Sequence, residues 1–356
     1  MKYFLELLPI RMRNKLCEHK LVRNALNNDE IFRCRALAGD SNYNICINSD
    51  MTVSCNCQDY DGFGRLGSLD ESSLEQIFSG PVATKFRTLL AERKFPIPTC
   101  INCAELEVIP SSKVNSALTD YHVPQKGIMV ENTAHCNYRC RICAGRQKLL
   151  DLRSVRDCIS LENVDKIANI LKEKQIENLY YFNLGEPFLP ESIHEQIAII
   201  RRNNPNIRII TSTNGQLLNT DQKINAALMM DYIYISLDGV DQKTVGRYQV
   251  GAKFDTVYKN IVRLVEARNN LRREVPIIEW KYVVFRWNDH PEHIRTAVKL
   301  ARDAQADVIG FYRGVARRVD MSLRWDYHSC FAELGRKQND GIVVNLNNIP
   351  NNLLSP

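Results

Sequence analysis

The chain has 356 residues, 44% of them hydrophobic, and 47 Lys and Arg against 41 Asp and Glu give a net charge of +6. That length and apolar content allow a sizeable core and two domains, and they exclude a short chain stapled only by disulfides. The positive excess is modest and its basic residues are scattered, so neither nucleic acid nor a membrane surface is expected as a partner.

Residues 1–33 read as one or two basic amphipathic helices with Leu7, Leu8, Leu16 and Leu21 as buried positions docking onto the rest of the fold. The apolar run Tyr3 to Ile10 is broken by Glu6 and followed by Arg11 and Arg13 without a small-residue cleavage site, so it is neither a signal peptide nor a span. Without an export signal, the twelve cysteines imply reduced thiols and metal, and hence a cytoplasmic enzyme.

Six of them, Cys34, Cys46, Cys55, Cys57, Cys100 and Cys103, fall within residues 34–124. Four thiols close an iron–sulfur cluster completely, and the same ligands suit a zinc ribbon. Residues 125–320 then alternate β-branched or aromatic runs with amphipathic runs, the pattern of a parallel α/β sheet or barrel. Strands are expected near 127–131, 178–184, 207–212, 232–237, 277–285 and 308–312. Leu161/Val164/Ile167/Ile170/Leu171 and Val257/Ile261/Leu264/Val265 recur at helical spacing and cover the outside. The fold class is therefore α/β, a partial (β/α)6 TIM-like barrel behind a small N-terminal cysteine-rich domain. Residues 321–356 are left as a C-terminal tail, loosely packed from 336 onward where Asn is frequent.

Just after the first barrel strand, where such folds place their chemistry, stand Cys136, Cys140 and Cys143 in a Cys-x-x-x-Cys-x-x-Cys run. Three thiolates on a four-iron cubane leave one iron open for a ligand that is not protein, whereas zinc sites usually pair Cys-x-x-Cys with a second ligand pair. Later strand ends carry Asn183-Leu184-Gly185-Glu186-Pro187, Ser212-Thr213-Asn214-Gly215 and Ser236-Leu237-Asp238-Gly239. Each alone reads equally as a turn, but their order along successive strands is that of one site.

Over residues 126–315 these motifs resemble the radical S-adenosylmethionine (SAM) superfamily. The resemblance implies a [4Fe–4S] cluster on Cys136, Cys140 and Cys143 that binds SAM and yields a 5′-deoxyadenosyl radical. It places Gly185, Glu186 and Pro187 at the SAM amino group and Thr213, Asn214 and Ser236 nearby. Arg247, in Arg247-Tyr248-x-x-Gly251, is expected at the SAM carboxylate and Asn288 at SAM from the fifth strand. The spacing Cys34, fifteen residues, Asp50, four residues, Cys55, closed by Cys100-Ile-Asn-Cys103, resembles the SPASM/twitch domain. Placed before the barrel, it implies an auxiliary [4Fe–4S] cluster on Cys34, Cys55, Cys100 and Cys103, with Cys46 and Cys57 as alternates.

By the same resemblance the substrate is expected to be a small sugar-like molecule or aminocyclitol, oxidised with the auxiliary cluster as electron acceptor. A reducing partner such as flavodoxin or ferredoxin is implied. Sugar epimerisation, with Cys158 or Cys330 as hydrogen-atom donor, peptide modification and a non-enzymatic electron-transfer module are the alternatives.

Overall fold

The computed structural model of this chain describes residues 29–57, 59–141, 143, 158–314, 320–322 and 342–347. Of the helices expected over residues 1–33, residues 1–28 lie outside these described residues, as does the expected donor Cys330, while residues 30–33 form part of a strand instead.

The first described strand, β1 (Glu30–Cys34), stands apart from the main sheet. Next come three short strands, β2 (Cys46–Ile47), β3 (Thr52–Ser54) and β4 (Arg65–Ser68), joined antiparallel in chain order. Helix α1 (Leu74–Ser79) starts at a reciprocal cap in which Ser73 accepts from the Gln76 amide and Gln76 accepts from the Ser73 amide. Pro81 then opens α2 (Pro81–Ala91), where its missing N–H costs nothing. The strand β5 (Leu106–Pro110) returns to pair antiparallel with β1.

The rest of the chain alternates strand and helix as its periodicity demands. The strands are β6 (Ile128–Val130), β7 (Asn178–Tyr181), β8 (Arg208–Thr213), β9 (Tyr232–Ser236), β10 (Ile277–Val284) and β11 (Val308–Arg313). The covering helices include α3 (Leu161–Glu173), α4 (Ile193–Asn203), α5 (Asp221–Leu228), α6 (Phe254–Asn270) and α7 (Pro291–Asp303). Apolar stripes such as Val164/Ile167/Ala168/Leu171 on α3 and Val257/Ile261/Leu264/Val265 on α6 are buried.

All six strands run parallel in sequence order, giving the mostly parallel sheet of a partial TIM-like barrel. Two features depart from expectation. The sheet gains a further parallel strand, β12 (Val343–Asn347), beside β11, so part of the expected tail belongs to the barrel. Ile342 and Val344 alternate into the core there, a signal too short to stand out among the surrounding asparagines. At the other edge β2 pairs parallel with β6, so the cysteine-rich region shares the barrel's sheet. This pairing satisfies backbone groups that an edge strand would leave open.

The two faces of the sheet differ. Leu179, Tyr181, Ile233, Ile235, Trp280, Tyr282 and Phe311 are fully buried against the helices, as the Tyr181 hydroxyl bonding Gln196 of α4 and the Trp280 ring near Tyr258 of α6 attest. Their neighbours Tyr180, Tyr234, Ser236, Lys281 and Tyr312 are half-buried on the opposite, inner face. Strict alternation of this kind indicates an inner face that borders open space.

Candidate functional site

The C-terminal ends of β6 to β9 converge through a dense set of short contacts. The loop that follows β6 carries Cys136, Cys140 and Cys143 and is laced to the segment after β9, where Arg139 N donates to Val250 O (2.9 Å) and Arg141 N to Tyr248 O (3.0 Å). The end of β7 meets the same loop where Glu186 N donates to His135 O at 2.8 Å. Gly185 is indispensable for that approach, since a Cβ there would lie 1.9 Å from Thr133 O and 2.8 Å from His135 O. From β8, Asn214 donates its amide to Asn137 Oδ1 (2.7 Å), and Gln216 Oε1 accepts from the Tyr138 hydroxyl (3.1 Å).

The donors around the cysteines suit thiolates. Tyr138 N points at the Cys136 sulfur at 3.3 Å and the Asn214 side-chain amide at 3.8 Å. Burial raises the Tyr138 and Tyr248 hydroxyls well above the usual phenol range, and the cysteines add to it: Cys136 and Cys140 at Tyr138, Cys140 and Cys143 at Tyr248. The three thiols therefore flank one pair of tyrosines. Among the described residues no three Cys, His, Asp or Glu side chains gather around a single ion. A cubane spreads its cysteines over different irons and makes no such demand.

Glu186, expected at the SAM amino group, is buried and ties two turns together. Its Oε1 accepts from Thr213 Oγ1 (2.5 Å) and Phe188 N (3.1 Å), and its Oε2 from Asn214 N (2.8 Å). Burial pushes its carboxyl up to about 7 despite these donors. Pro187 is buried beside it, its carbonyl accepting from Asn132 Nδ2 at 2.9 Å. Ser236 closes β9 on the inner face, and its carbonyl accepts from Gln249 Nε2 (2.9 Å). Arg247 is exposed, its guanidinium 5.4 Å from the Trp287 ring, which stacks on Phe285.

One expectation is corrected. Asn288 is fully buried, and its amide is spent on Phe285 N (2.6 Å), Asp238 O (2.9 Å) and Val283 O (2.9 Å). It locks the ends of β9 and β10 together and has no amide hydrogen left for SAM.

Asp238 is also buried, with Oδ1 accepting from Val283 N at 2.6 Å. Burial pushes its carboxyl up from 3.8 to about 7. Between those values the folded chain keeps a proton that the unfolded chain has lost, so this group makes stability fall as pH rises through that window. Asp238→Asn keeps an acceptor for Val283 N and removes the buried charge. It is expected to flatten that decline and to stabilise the fold above pH 7 by on the order of 1 kcal/mol. Thermal unfolding across pH checks this, and an unchanged slope would contradict it.

The N-terminal cysteines make a second cluster of thiols. Cys34, Cys55, Cys100 and Cys103 line one cavity of about 360 Å³, its open mouth included, otherwise walled by apolar groups such as Leu37, Phe86, Leu90 and Ile97. Burial, with a smaller contribution from the neighbouring thiols, pushes Cys34 up to about 12 and Cys100 to about 11. Four sulfurs around one apolar cavity fit an iron–sulfur cluster, which would hold them as thiolates. The alternates do not line this cavity. Cys57 donates to Asn44 Oδ1 (3.2 Å), and Cys46 lies on β2 opposite Met129 and Ser54, its sulfur accepting from Asn183 Nδ2 at 3.4 Å.

Cys46 thus shares the inner face of the barrel with Met129 and Tyr180. Cys158 does not: it lies within electrostatic reach of Tyr181, whose ring faces the helices. The inner-face tyrosines Tyr180 and Tyr234 were not singled out by sequence reasoning. Alternation in Tyr232-Ile-Tyr234-Ile-Ser236 was the available signal.

The family model that matches this chain is the radical SAM superfamily, over residues 130–275. The chain is similar to GTP 3′,8-cyclase of Helicobacter pylori strain ATCC 700392 / 26695, with 25% identity over 152 residues, 43% of this chain and 41% of that protein. It is also similar to the GTP 3′,8-cyclase of strain HPAG1, with 27% identity over 118 residues, 33% of this chain and 36% of that protein. The chain spans about two fifths of the length of these curated relatives. Among solved structures, Streptococcus suis SuiB bound to S-adenosylmethionine aligns at 14% identity and TM-score 0.48, covering 90% of this chain and 72% of that one. AnSMEcpe with bound AdoMet aligns at 16% identity and TM-score 0.45, covering 62% and 63%.

Proposed function

The chain is a radical SAM superfamily enzyme whose family domain spans residues 130–275, and we propose that it removes hydrogen from an alcohol carbon of a small hydroxylated molecule and oxidises it to the ketone. Membership brings a [4Fe–4S] cluster and SAM, which together supply the 5′-deoxyadenosyl radical that attacks unactivated C–H bonds.

Cys136, Cys140 and Cys143 hold that cluster and leave the fourth iron for SAM. Gly185 lets the β7 turn approach the cysteine loop, and Glu186 fixes Thr213 and Asn214 beside it. Arg247 and Ser236 complete the SAM side. The observation that carries this reading is the convergence of the β7 and β8 ends and of the segment after β9 on one cysteine loop. Removing a hydrogen atom leaves a carbon radical, which must lose its O–H proton and one electron to become the ketone. An auxiliary [4Fe–4S] cluster on Cys34, Cys55, Cys100 and Cys103 would supply the acceptor for that electron.

The Cys100→Ala, Cys103→Ala double variant tests the assignment. It is expected to transfer deuterium from labelled substrate into 5′-deoxyadenosine while yielding no ketone. Ketone formation at the wild-type rate would contradict it.

Epimerisation is the second reading, in which Cys46, a buried thiol in the register of the inner face, would be the hydrogen-atom donor. If oxidation is right, Cys46→Ala and Cys158→Ala leave product formation largely intact. Stalled turnover in Cys46→Ala, together with solvent deuterium on carbon in the wild type, would make the enzyme an epimerase. A peptide substrate is distinguished by SAM turnover that only peptides stimulate. No helix of the described residues is long and apolar enough to cross a membrane. Flavodoxin or ferredoxin is the proposed reductant.

A further inference from the structure

The inner face of the barrel carries one positive and one negative side chain two residues apart on β10, and the barrel treats them differently. Glu279 is 1% exposed. Its Oε1 accepts from the Tyr312 hydroxyl (2.7 Å) and its Oε2 from the Tyr232 hydroxyl. Gly310 on β11 makes this possible, because a Cβ there would stand 2.0 Å from Glu279 Oε1. The carboxylate is thus sealed beneath two phenols.

Lys281 is only half-buried and sits one step nearer the strand ends, in register with Ser236 of β9 and Gly310 of β11. Among the described residues its ammonium makes no hydrogen bond or salt bridge, lies 5.1 Å from the centre of the Tyr312 ring, and acts on the buried Glu279 and Asp238 carboxyls only through space. Around it on the same face, Ser212, Ser236, Tyr180 and Tyr234 are half-buried, and their hydroxyls have no hydrogen-bond partner among the described residues. A cation in a partly dry space, with the uncommitted Ser236 hydroxyl in register beside it and further free hydroxyls on the same face, attracts an anion more strongly than it would at the surface. Arg208, 6.0 Å from the Tyr232 ring at the start of β8, adds positive potential at the far end of the same face.

We propose that Lys281 forms an anion subsite, and that the substrate is a hydroxylated small molecule carrying a carboxylate or phosphate. The hydroxyls of Ser212, Ser236, Tyr180 and Tyr234 line the space beside that anion. This refines the proposed alcohol substrate and rests on the barrel interior being the substrate site. It also selects against amino-substituted substrates such as aminocyclitols, which would bring a second cation to Lys281 while Glu279 is sealed.

The test uses the anaerobically reconstituted full chain and two probes, inorganic phosphate and acetate, at constant ionic strength with chloride as the reference. Ligand-dependent thermal stabilisation is measured for wild type, Lys281→Met, Lys281→Arg and the surface control Lys94→Met. Wild type and Lys94→Met are expected to be stabilised by at least one probe beyond chloride. Lys281→Met should need about tenfold more of it or better for half-saturation, and Lys281→Arg should stay within about threefold. Stabilisation by phosphate alone assigns a phosphorylated substrate, and by acetate alone a carboxylate. Lys281→Gln replaces Met if the Met variant loses its native circular dichroism or iron. Equal stabilisation in wild type and the neutral variants, or none beyond chloride in wild type, overturns the proposal. The readout involves no SAM cleavage, so failure of the oxidation reading leaves it standing and its own failure leaves that reading untouched.

Discussion

Replacing Cys136, Cys140 and Cys143 together by Ala is expected to abolish 5′-deoxyadenosine formation and to lower the iron of the reconstituted protein from about eight per chain to about four. The two sets of cysteines belong to different parts of the fold. One loop follows β6, and the other set lines the cavity near β1 and α2. Loss of the first therefore leaves the second intact. The reciprocal variant, with Cys34, Cys55, Cys100 and Cys103 replaced, should also keep about four irons and still cleave SAM. Iron analysis and product chromatography read both outcomes. Zinc in place of iron after anaerobic purification would contradict both assignments.

Gly185→Ala is expected to cost nearly as much activity with a single methyl group. Its Cβ would fall 1.9 Å from Thr133 O, 2.7 Å from Thr133 C and 2.8 Å from His135 O, all backbone atoms that cannot rotate aside. The β7 turn must then withdraw from the cysteine loop. That breaks the bond from Glu186 N to His135 O and misplaces the carboxylate that holds Thr213 and Asn214. A loss of at least about 100-fold in SAM cleavage is expected, with destabilisation of roughly 2–4 kcal/mol. Gly246→Ala is the control. Its Cβ would meet only Gln242 Nε2 at 3.6 Å, an ordinary contact at a helix end, and stability should change by less than about 0.5 kcal/mol. Near-wild-type SAM cleavage in Gly185→Ala would show that the approach of β7 to the cysteine loop is not needed.

Much of this site is legible in the sequence because its signals are local. Each barrel strand from β6 to β11 is a short run bounded by turn residues, and each motif sits within a few residues of a strand end. The four thiols of the N-terminal cavity were named through the resemblance to the SPASM/twitch domain, with Cys46 and Cys57 left as alternates. What escaped is long-range or depends on which face a residue takes. The pairing of β2 with β6 joins residues more than eighty positions apart and gives no periodic signal. It is this pairing that puts Cys46, an alternate ligand in the sequence reading, in the register of the barrel's inner face. Asn288 looked like a ligand contact because it is polar and ends a strand, yet its amide is consumed within the fold. The aromatic residues Trp280 and Tyr282 of β10 are core, whereas Tyr232 and Tyr234 of β9 are half-buried. Tyr234 and Lys281 differ from Ile235 and Trp280 only in parity along the strand, and composition cannot tell which parity faces the helices.

The most direct measurement is 5′-deoxyadenosine released from SAM by the anaerobically reconstituted, dithionite-reduced protein. Turnover that vanishes in the Cys136, Cys140, Cys143 triple variant is the predicted result. A protein that binds about eight irons and accepts electrons from dithionite, yet releases no 5′-deoxyadenosine from SAM, would contradict the radical SAM assignment and point to an electron-transfer module instead.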